Sequence, residues 1–442
     1  MKDPRLFYKS YLMFANFQKF LQLNQQEFGD FYQYKGLVNF FFVHDLKQVK
    51  RVLLGTNKSF SKKTNLVRNL HNALGESIII SEYEKWKPRR KLLNPSFTKK
   101  NSLSLFSLMK IKISETIDEI NQQIQDKEYF ITNVSPIFNR LIINIIGMAF
   151  FNKDFDKHTG NIEHWLNNMR SYVENPPIPF LSNPNTPTLA NLKMKRNKKR
   201  LLSFVKDIIE ERKSSGVEYN DLLGRILKET SEDTETDLKG DELVMEVLNL
   251  IVAGHETTAN TISWTLYYLT KNPDVYKKLQ KEIDTSFGQN DPSSKKVMEL
   301  QYLDCVLKET MRLVPAAWIF TRKSKEDMVF NEKNLKKDST IIFCPILIHK
   351  DKRLWKNPEA YAPERFLPEN KDKIQPDSYI PFGGGQRTCI GLHLAMIEMK
   401  ITLVMILQKF EFLKNTAFKP KIKYSITTYS ENGIELGIKR RS

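Results

Sequence analysis

A chain of 442 residues, 40% hydrophobic and 11% aromatic, carries enough apolar material for a large core, which excludes an intrinsically disordered protein. Lys and Arg number 69 against 51 Asp and Glu, a formal charge of +18; the basic runs 193–200 and 439–441 are short and sit in no nucleic-acid motif. The surplus therefore reads as a lysine-rich solvated surface suited to an acidic protein partner, not to nucleic acid.

The first 24 residues read as a lead-in. Lys9, Asn16 and Lys19 interrupt them, so signal-peptide grammar is lacking, although the stretch is amphipathic enough for peripheral contact with a membrane. No segment reaches the roughly 18 apolar residues of a membrane span. The longest, 141–151, predicts a buried core helix, and the expectation is a soluble chain without an integral membrane anchor. From 25 to 100 the pattern is mixed: strand-like runs flank Gly36, and 46–55 predicts an amphipathic helix ending at Gly55.

The stretch 101–320 is helical, interrupted by a Pro/Asn-rich loop at 174–188 and a polar connection at 228–241. Strands return between 325 and 345, and Cys344 lies in strand-like "TIIFCPILI". Prolines 358, 363, 368, 376 and 381 forbid a regular helix over 350–380. A helix over 392–409 and a hairpin-like tail turning at Asn432-Gly433 complete 321–442. The fold class expected is mainly α with small β-sheets (α+β), one compact unit over 1–442 that acts as a monomer.

Three cysteines, Cys305, Cys344 and Cys389, are too few and odd in number for a disulfide framework and point to a reducing, cytoplasmic setting. Cys305 and Cys344 lie in apolar patterns and read as packing residues. Cys389 lies in "PFGGGQRTCIG", just ahead of a helix whose free N–H groups favour a thiolate. Three consecutive glycines there suggest that something bulky approaches the backbone. A phosphate loop is excluded because no Gly-Lys-Ser/Thr follows, and zinc because no second ligand stands at ligand spacing. A lone thiolate with Arg387 two residues away fits haem ligation.

Phe382, Gly385, Arg387, Cys389 and Gly391 reproduce F-x-x-G-x-R-x-C-x-G, and here the chain resembles the cytochrome P450 monooxygenases. "AGHET" at 253–257 is similar to the family's oxygen-activating helix. A zinc-protease reading of His255-Glu256 fails because Ala259 stands where a second histidine is needed. The resemblance implies that Ala253 and Gly254 clear space over the iron, Thr257 hydrogen-bonds dioxygen or a neighbouring water, and Glu256 feeds protons inward. "KETMRL" and "APERF" supply Glu309, Arg312 and Arg365, which the family joins in a buried network; both arginines can fork onto the carboxylate. Trp86, Arg90 and Arg322 match its haem-propionate partners. Pro88 departs from the pattern and is tolerable where the helix starts close to it.

The resemblance implies the family's fold and haem b with Cys389 as proximal ligand. It also implies O2 as co-substrate and NAD(P)H-derived electrons from a separate ferredoxin, flavodoxin or flavoprotein reductase. Neither a membrane helix nor a fused reductase is expected, and the mid-chain is similar to soluble bacterial members. The substrate expected is an apolar small molecule such as a fatty acid, terpenoid or polyketide. The resemblance places its pocket along 62–82, 174–190 and 426–428, with Leu250, Ala316, Trp318, Ile319 and Thr427 lining it. The alternative is a non-catalytic haem- or ligand-binding protein of the same fold, docked in an assembly.

Overall fold

Apolar residues recurring at spacings of three and four give helices wherever one stripe can be buried. The computed structural model describes residues 17–34, 40–55, 58–174, 186–217, 219, 221–231 and 238–441. Its helices are α1 (Phe17–Phe28), α2 (Leu46–Leu54), α3 (Asn65–Leu74), α4 (Tyr83–Leu93), α5 (Lys99–Leu103), α6 (Phe106–Ile124), α7 (Val134–Phe151) and α8 (Thr159–Glu174). They continue with α9 (Leu189–Ser214), α10 (Leu222–Ser231), α11 (Gly240–Lys271), α12 (Pro273–Phe287), α13 (Ser294–Glu299), α14 (Gln301–Leu313), α15 (Pro345–His349) and α16 (Leu392–Lys409). The 32-residue α11 crosses the helical body and packs on α7, α14 and α16. The large core lies among these helices. By length and composition α7 could cross a membrane, yet 67% of its residues are packed inside, as a core helix requires.

The strands are β1 (Phe31–Tyr34), β2 (Phe40–Val43), β3 (Phe60–Ser61), β4 (Phe130–Asn133), β5 (Phe320–Ser324), β6 (Met328–Phe330), β7 (Lys333–Leu335), β8 (Thr340–Phe343), β9 (Phe410–Lys414), β10 (Ile422–Tyr424), β11 (Thr428–Ser430) and β12 (Glu435–Arg440). Five of them form a sheet ordered β1-β2-β8-β5-β3, in which β2 and β8 run parallel and the remaining pairs antiparallel. Each face buries its own apolar cluster, Val49, Val52 and Phe343 on one and Phe20, Phe42 and Trp318 on the other.

Three sequence expectations change. The turn at Asn432-Gly433 exists, with Gly433 at φ +71°, but it joins no hairpin: β11 pairs with β10, while β12 pairs with β4 and β9. Cys344 follows β8 and caps α15 instead of lying within the strand. Pro88 stands inside α4, more than a turn from its start; the Glu84 carbonyl it leaves without a helical partner belongs to an exposed residue. Wholly buried Arg89 ties α4 to α11 through Glu246 (3.2 Å) and Glu242 (2.5 Å). Residues 1–16 of the lead-in, 175–185 of the Pro/Asn-rich loop and 232–237 of the polar connection lie outside the described residues.

Candidate active site

The Cys389 N–H donates to Phe382 O at 3.0 Å, closing the glycine-rich loop so that the sulfur turns inward. Two of the glycines also serve a protein neighbour. Gly385 has φ +65°, and a Cβ there would stand 2.6 Å from the Leu53 carbonyl oxygen; one on Gly384 would stand 3.1 Å from Leu53 Cδ1. The end of α2 therefore packs against the loop at Gly384 and Gly385. Gly391 begins the turn into α16, and its N–H bonds to the Cys389 sulfur. Burial pushes the thiol up, while that N–H and the Arg90 charge pull it back. Protein surrounds Cys389, yet its surface is accessible because it faces a cavity of about 570 Å³.

Ala253, Gly254, Glu256 and Thr257 on α11 line the same cavity. The Thr257 hydroxyl donates to Ala253 O at 2.8 Å, the back-bonded arrangement of a mid-helix threonine. A Cβ on Gly254 would come within 3.2 Å of Ile146 Cδ1, so this glycine lets α7 approach α11. Glu256 pairs with Arg170 of α8, a residue without a sequence motif. Arg170 also donates to Asn167 Oδ1 at 2.8 Å and lies 4.2 Å from the Tyr429 ring centroid, so one side chain joins α8, α11 and β11.

Cations gather along another part of the wall. The Arg387 guanidinium lies 4.2 Å from the Trp86 ring centroid, and Arg90 donates to Thr388 O at 2.9 Å. Arg322 is buried, with Nη1 donating to Thr321 O at 2.8 Å; it does not line the cavity but stands close enough to act on Arg387 electrostatically. Burial and then Arg322 lower Arg387 to about 9, and burial lowers Arg322 to about 10 against the pull of Glu82. Lys62, not anticipated from the sequence, lines the cavity and donates from Nζ to Ile79 O. Burial, then Arg322 and Arg387, hold its amine well below the usual lysine range. One carboxylate, Glu82, acts on three of these cations, an imbalance that an anionic group in the cavity corrects. The donor set therefore fits haem: a thiol at an open face, cations for two carboxylates, and apolar walls for the ring.

Glu309 and Arg312 are wholly buried and bidentate, with Nε and Nη2 each 2.8 Å from a carboxylate oxygen. Arg365 does not match this fork. Its Nε reaches Glu309 at 3.3 Å, while its other nitrogens donate to the Lys356 and Asn357 carbonyls. The network thereby ties α14 to the proline-rich segment. Of the expected pocket residues, Leu250, Ala316 and Thr427 line the cavity with Ile78, Ile80 and Phe320. Trp318 and Ile319 do not: they pack on the sheet's other cluster, where Trp318 Nε1 donates to Ser425 O at 2.5 Å.

The family model described as Cytochrome P450 matches residues 4–434. Cytochrome P450 3A30 of Fundulus heteroclitus is 30% identical over 389 residues, covering 84% of this chain and 77% of that protein. Cytochrome P450 3A7 of Homo sapiens is 30% identical over 384 residues, covering 83% and 76%. Both are vertebrate proteins and lend no support to the expected bacterial kinship. The crystal structure of cytochrome P450DA heme domain superposes with a TM-score of 0.85 at 24% identity, covering 96% of this chain and 93% of that one, and so shares the fold.

Proposed function

The chain belongs to the cytochrome P450 family, and on that premise we propose that Cys389 holds the haem iron and that Trp86, Arg90, Arg387 and Lys62, backed by Arg322, meet the haem propionates. It is a monooxygenase of the class acting on paired donors, with a haem-thiolate centre, O2 and NAD(P)H-derived electrons passed through a partner. When bound, the haem supplies the redox chemistry that splits dioxygen and oxidises the substrate, and the thiolate favours the cleavage.

The chain's own residues position protons around that chemistry. With its O–H committed to Ala253 O, Thr257 meets the cavity as an acceptor and can hold a water there. It donates only when that bond is exchanged. Glu256 is tied to Arg170, so delivery of a proton from its carboxyl requires the pair to open. Phe382, Gly391, Ala253 and Gly254 shape the wall beside these groups. The Glu309–Arg312–Arg365 network fixes the segment under the loop; in this reading it is structural, and its loss prevents stable haem uptake.

An apolar body of the substrate is supported by Ile78, Ile80, Leu250 and Phe320 on the cavity wall. Ala316 and Thr427 complete that lining. Exposed Lys87 and Lys91 on α4, which also carries Arg90, suit an acidic ferredoxin, flavodoxin or flavoprotein reductase arriving near Cys389. Free Cys305 and Cys344, both buried, agree with a reducing, cytoplasmic setting, and a monomer acting as one unit completes the reading.

The observation that carries the proposal is the Cys389 sulfur facing the cavity lined by Thr257. The carbon monoxide difference spectrum of the dithionite-reduced protein tests it, beside a Cys389→Ser control. A red-shifted Soret band lost in the control is expected. A band at the position of histidine-ligated haem, or no haem, overturns it.

A further inference from the structure

Between α3 and α4 the chain turns through 75–82 and gives the cavity part of its apolar wall: Ile78, Ile79 and Ile80 line it, as does Leu74 just before. No helix or ladder takes the backbone groups of such a stretch, and where they are buried they must be met elsewhere. Here α11 meets them. The Ile78 N–H donates to both carboxylate oxygens of Glu246, at 2.9 and 3.1 Å. Nearly one turn on, Asn249 Nδ2 donates to the Leu74 carbonyl at 2.9 Å. Between the two grips Gly75 passes so close to Met245 that a Cβ would stand 2.5 Å from its sulfur.

Glu246 and Asn249 are both 0% exposed, and neither lines the cavity. Desolvation of the carboxylate is offset by Arg89, which is 3.2 Å away and also wholly buried. As a source of stability such a pair is poor, since apolar side chains of similar volume commonly do as well. What they cannot do is accept the Ile78 N–H at one place, so the contribution of the pair lies in position.

The helix gives that position its meaning. Glu246, Leu250, Ala253 and Thr257 succeed one another at spacings of four, three and four, a single stripe of α11. At the helical rise, Ala253 lies about 10 Å and Thr257 about 16 Å along the axis from Glu246. The wall at 78–80 and the groups that share the cavity with Cys389 are therefore held at a fixed spacing by one element.

We infer that Glu246 and Asn249 are positioning residues that set how far a bound chain extends from the iron before it meets the wall at 78–80, so that two side chains outside the cavity determine specificity for substrate length. The inference rests on the oxygenase reading, which puts the iron at Cys389. No chemical step passes through either residue.

The test uses 1-alkylimidazoles from methyl to dodecyl on the haem-loaded protein. The ring nitrogen anchors each probe on the iron, its Soret shift gives the dissociation constant, and the tail measures the space beyond. Affinity is expected to rise about fourfold per methylene until the tail meets the wall, and to stop rising there. Asn249→Ala changes no charge, and Glu246→Ala removes the acceptor of the Ile78 N–H. Each should move that break by two carbons or more, or erase it, while 1-methylimidazole, too short to reach the wall, binds as before. Amide exchange of 74–81, measured well below the melting temperature, should speed up about tenfold or more in both variants.

A break that stays in place although 74–81 exchanges faster overturns the inference, and so does a wild-type series without a break. Equal losses of affinity for short and long probes would make both residues merely structural. Should Glu246→Ala fail to fold, with Arg89 left to Glu242, Asn249→Ala decides alone. Should the reduced protein lack the thiolate-haem band, the oxygenase reading fails by itself. Exchange of 74–81 then still reads the hold of α11 on the wall, and unchanged exchange overturns it.

Discussion

Lys62 has few ways to keep its charge. Its amine is enclosed with Arg322 and Arg387 nearby, and its Nζ–H goes to the neutral Ile79 carbonyl. A lysine held below its ordinary value in the folded state adds stability that is fully present only above that ordinary value and is lost as pH falls. Near neutral pH the haem-free protein therefore carries a cost at this position, and two propionates would relieve it. Lys62→Met is expected to raise the melting temperature of the haem-free protein, by on the order of 1 kcal/mol of stability, the scale of burying a poorly paired polar group. It should at the same time speed haem loss from the loaded protein. The two melts and a haem-transfer assay check this; a variant that destabilises both forms equally would make Lys62 a packing residue with no tie to the cofactor.

At the scale of elements, the haem loop and α2 constrain each other. Gly385 needs both its left-handed backbone and the absence of a Cβ, because the Leu53 carbonyl is a fixed part of α2. Gly384 has ordinary extended backbone, and its nearest obstacle is the movable tip of the Leu53 side chain. Gly385→Ala is accordingly expected to destabilise by roughly 1–3 kcal/mol, the cost of forced left-handed backbone plus a clash, and Gly384→Ala by clearly less. Thermal melting of the pair ranks them; equal effects would mean that the haem side, not α2, sets the glycine requirement. This loop also shows what a sequence can carry. The helix over 392–409 was legible because its apolar period is local, and the Cys389 motif because its residues are neighbours in the chain. That Leu53 also stands against two of these glycines was not legible, since it is brought there by tertiary packing. Arg170 and Lys62 escaped for the same reason: each meets its partners across folded elements, and neither sits in a motif. Trp318 and Ile319 shared the apolar character of the pocket walls, and only the orientation of the segment before β5 sends them to the other side of the sheet.

For the whole molecule, the charge of +18 acts at long range, whereas the exposed Lys87 and Lys91 on α4 would act locally at the docking face proposed near Cys389. Net charge alone raises encounter with any acidic partner, but a docking face makes particular lysines matter more than others. The rate of reduction by an acidic ferredoxin is expected to fall about tenfold or more between about 20 mM and about 300 mM salt, as screening shortens the reach of exposed charges. Two double variants separate the effects. Lys87→Glu with Lys91→Glu and Lys199→Glu with Arg200→Glu change the net charge by the same amount, the second pair on α9, whose exposed residues lie on a different part of the helical body. Stopped-flow reduction should be slowed strongly by the first pair and weakly by the second, with the carbon monoxide spectrum unchanged in both. Equal slowing would mean that the surplus charge attracts the partner without placing it, and the entry point for electrons would have to be sought on another face.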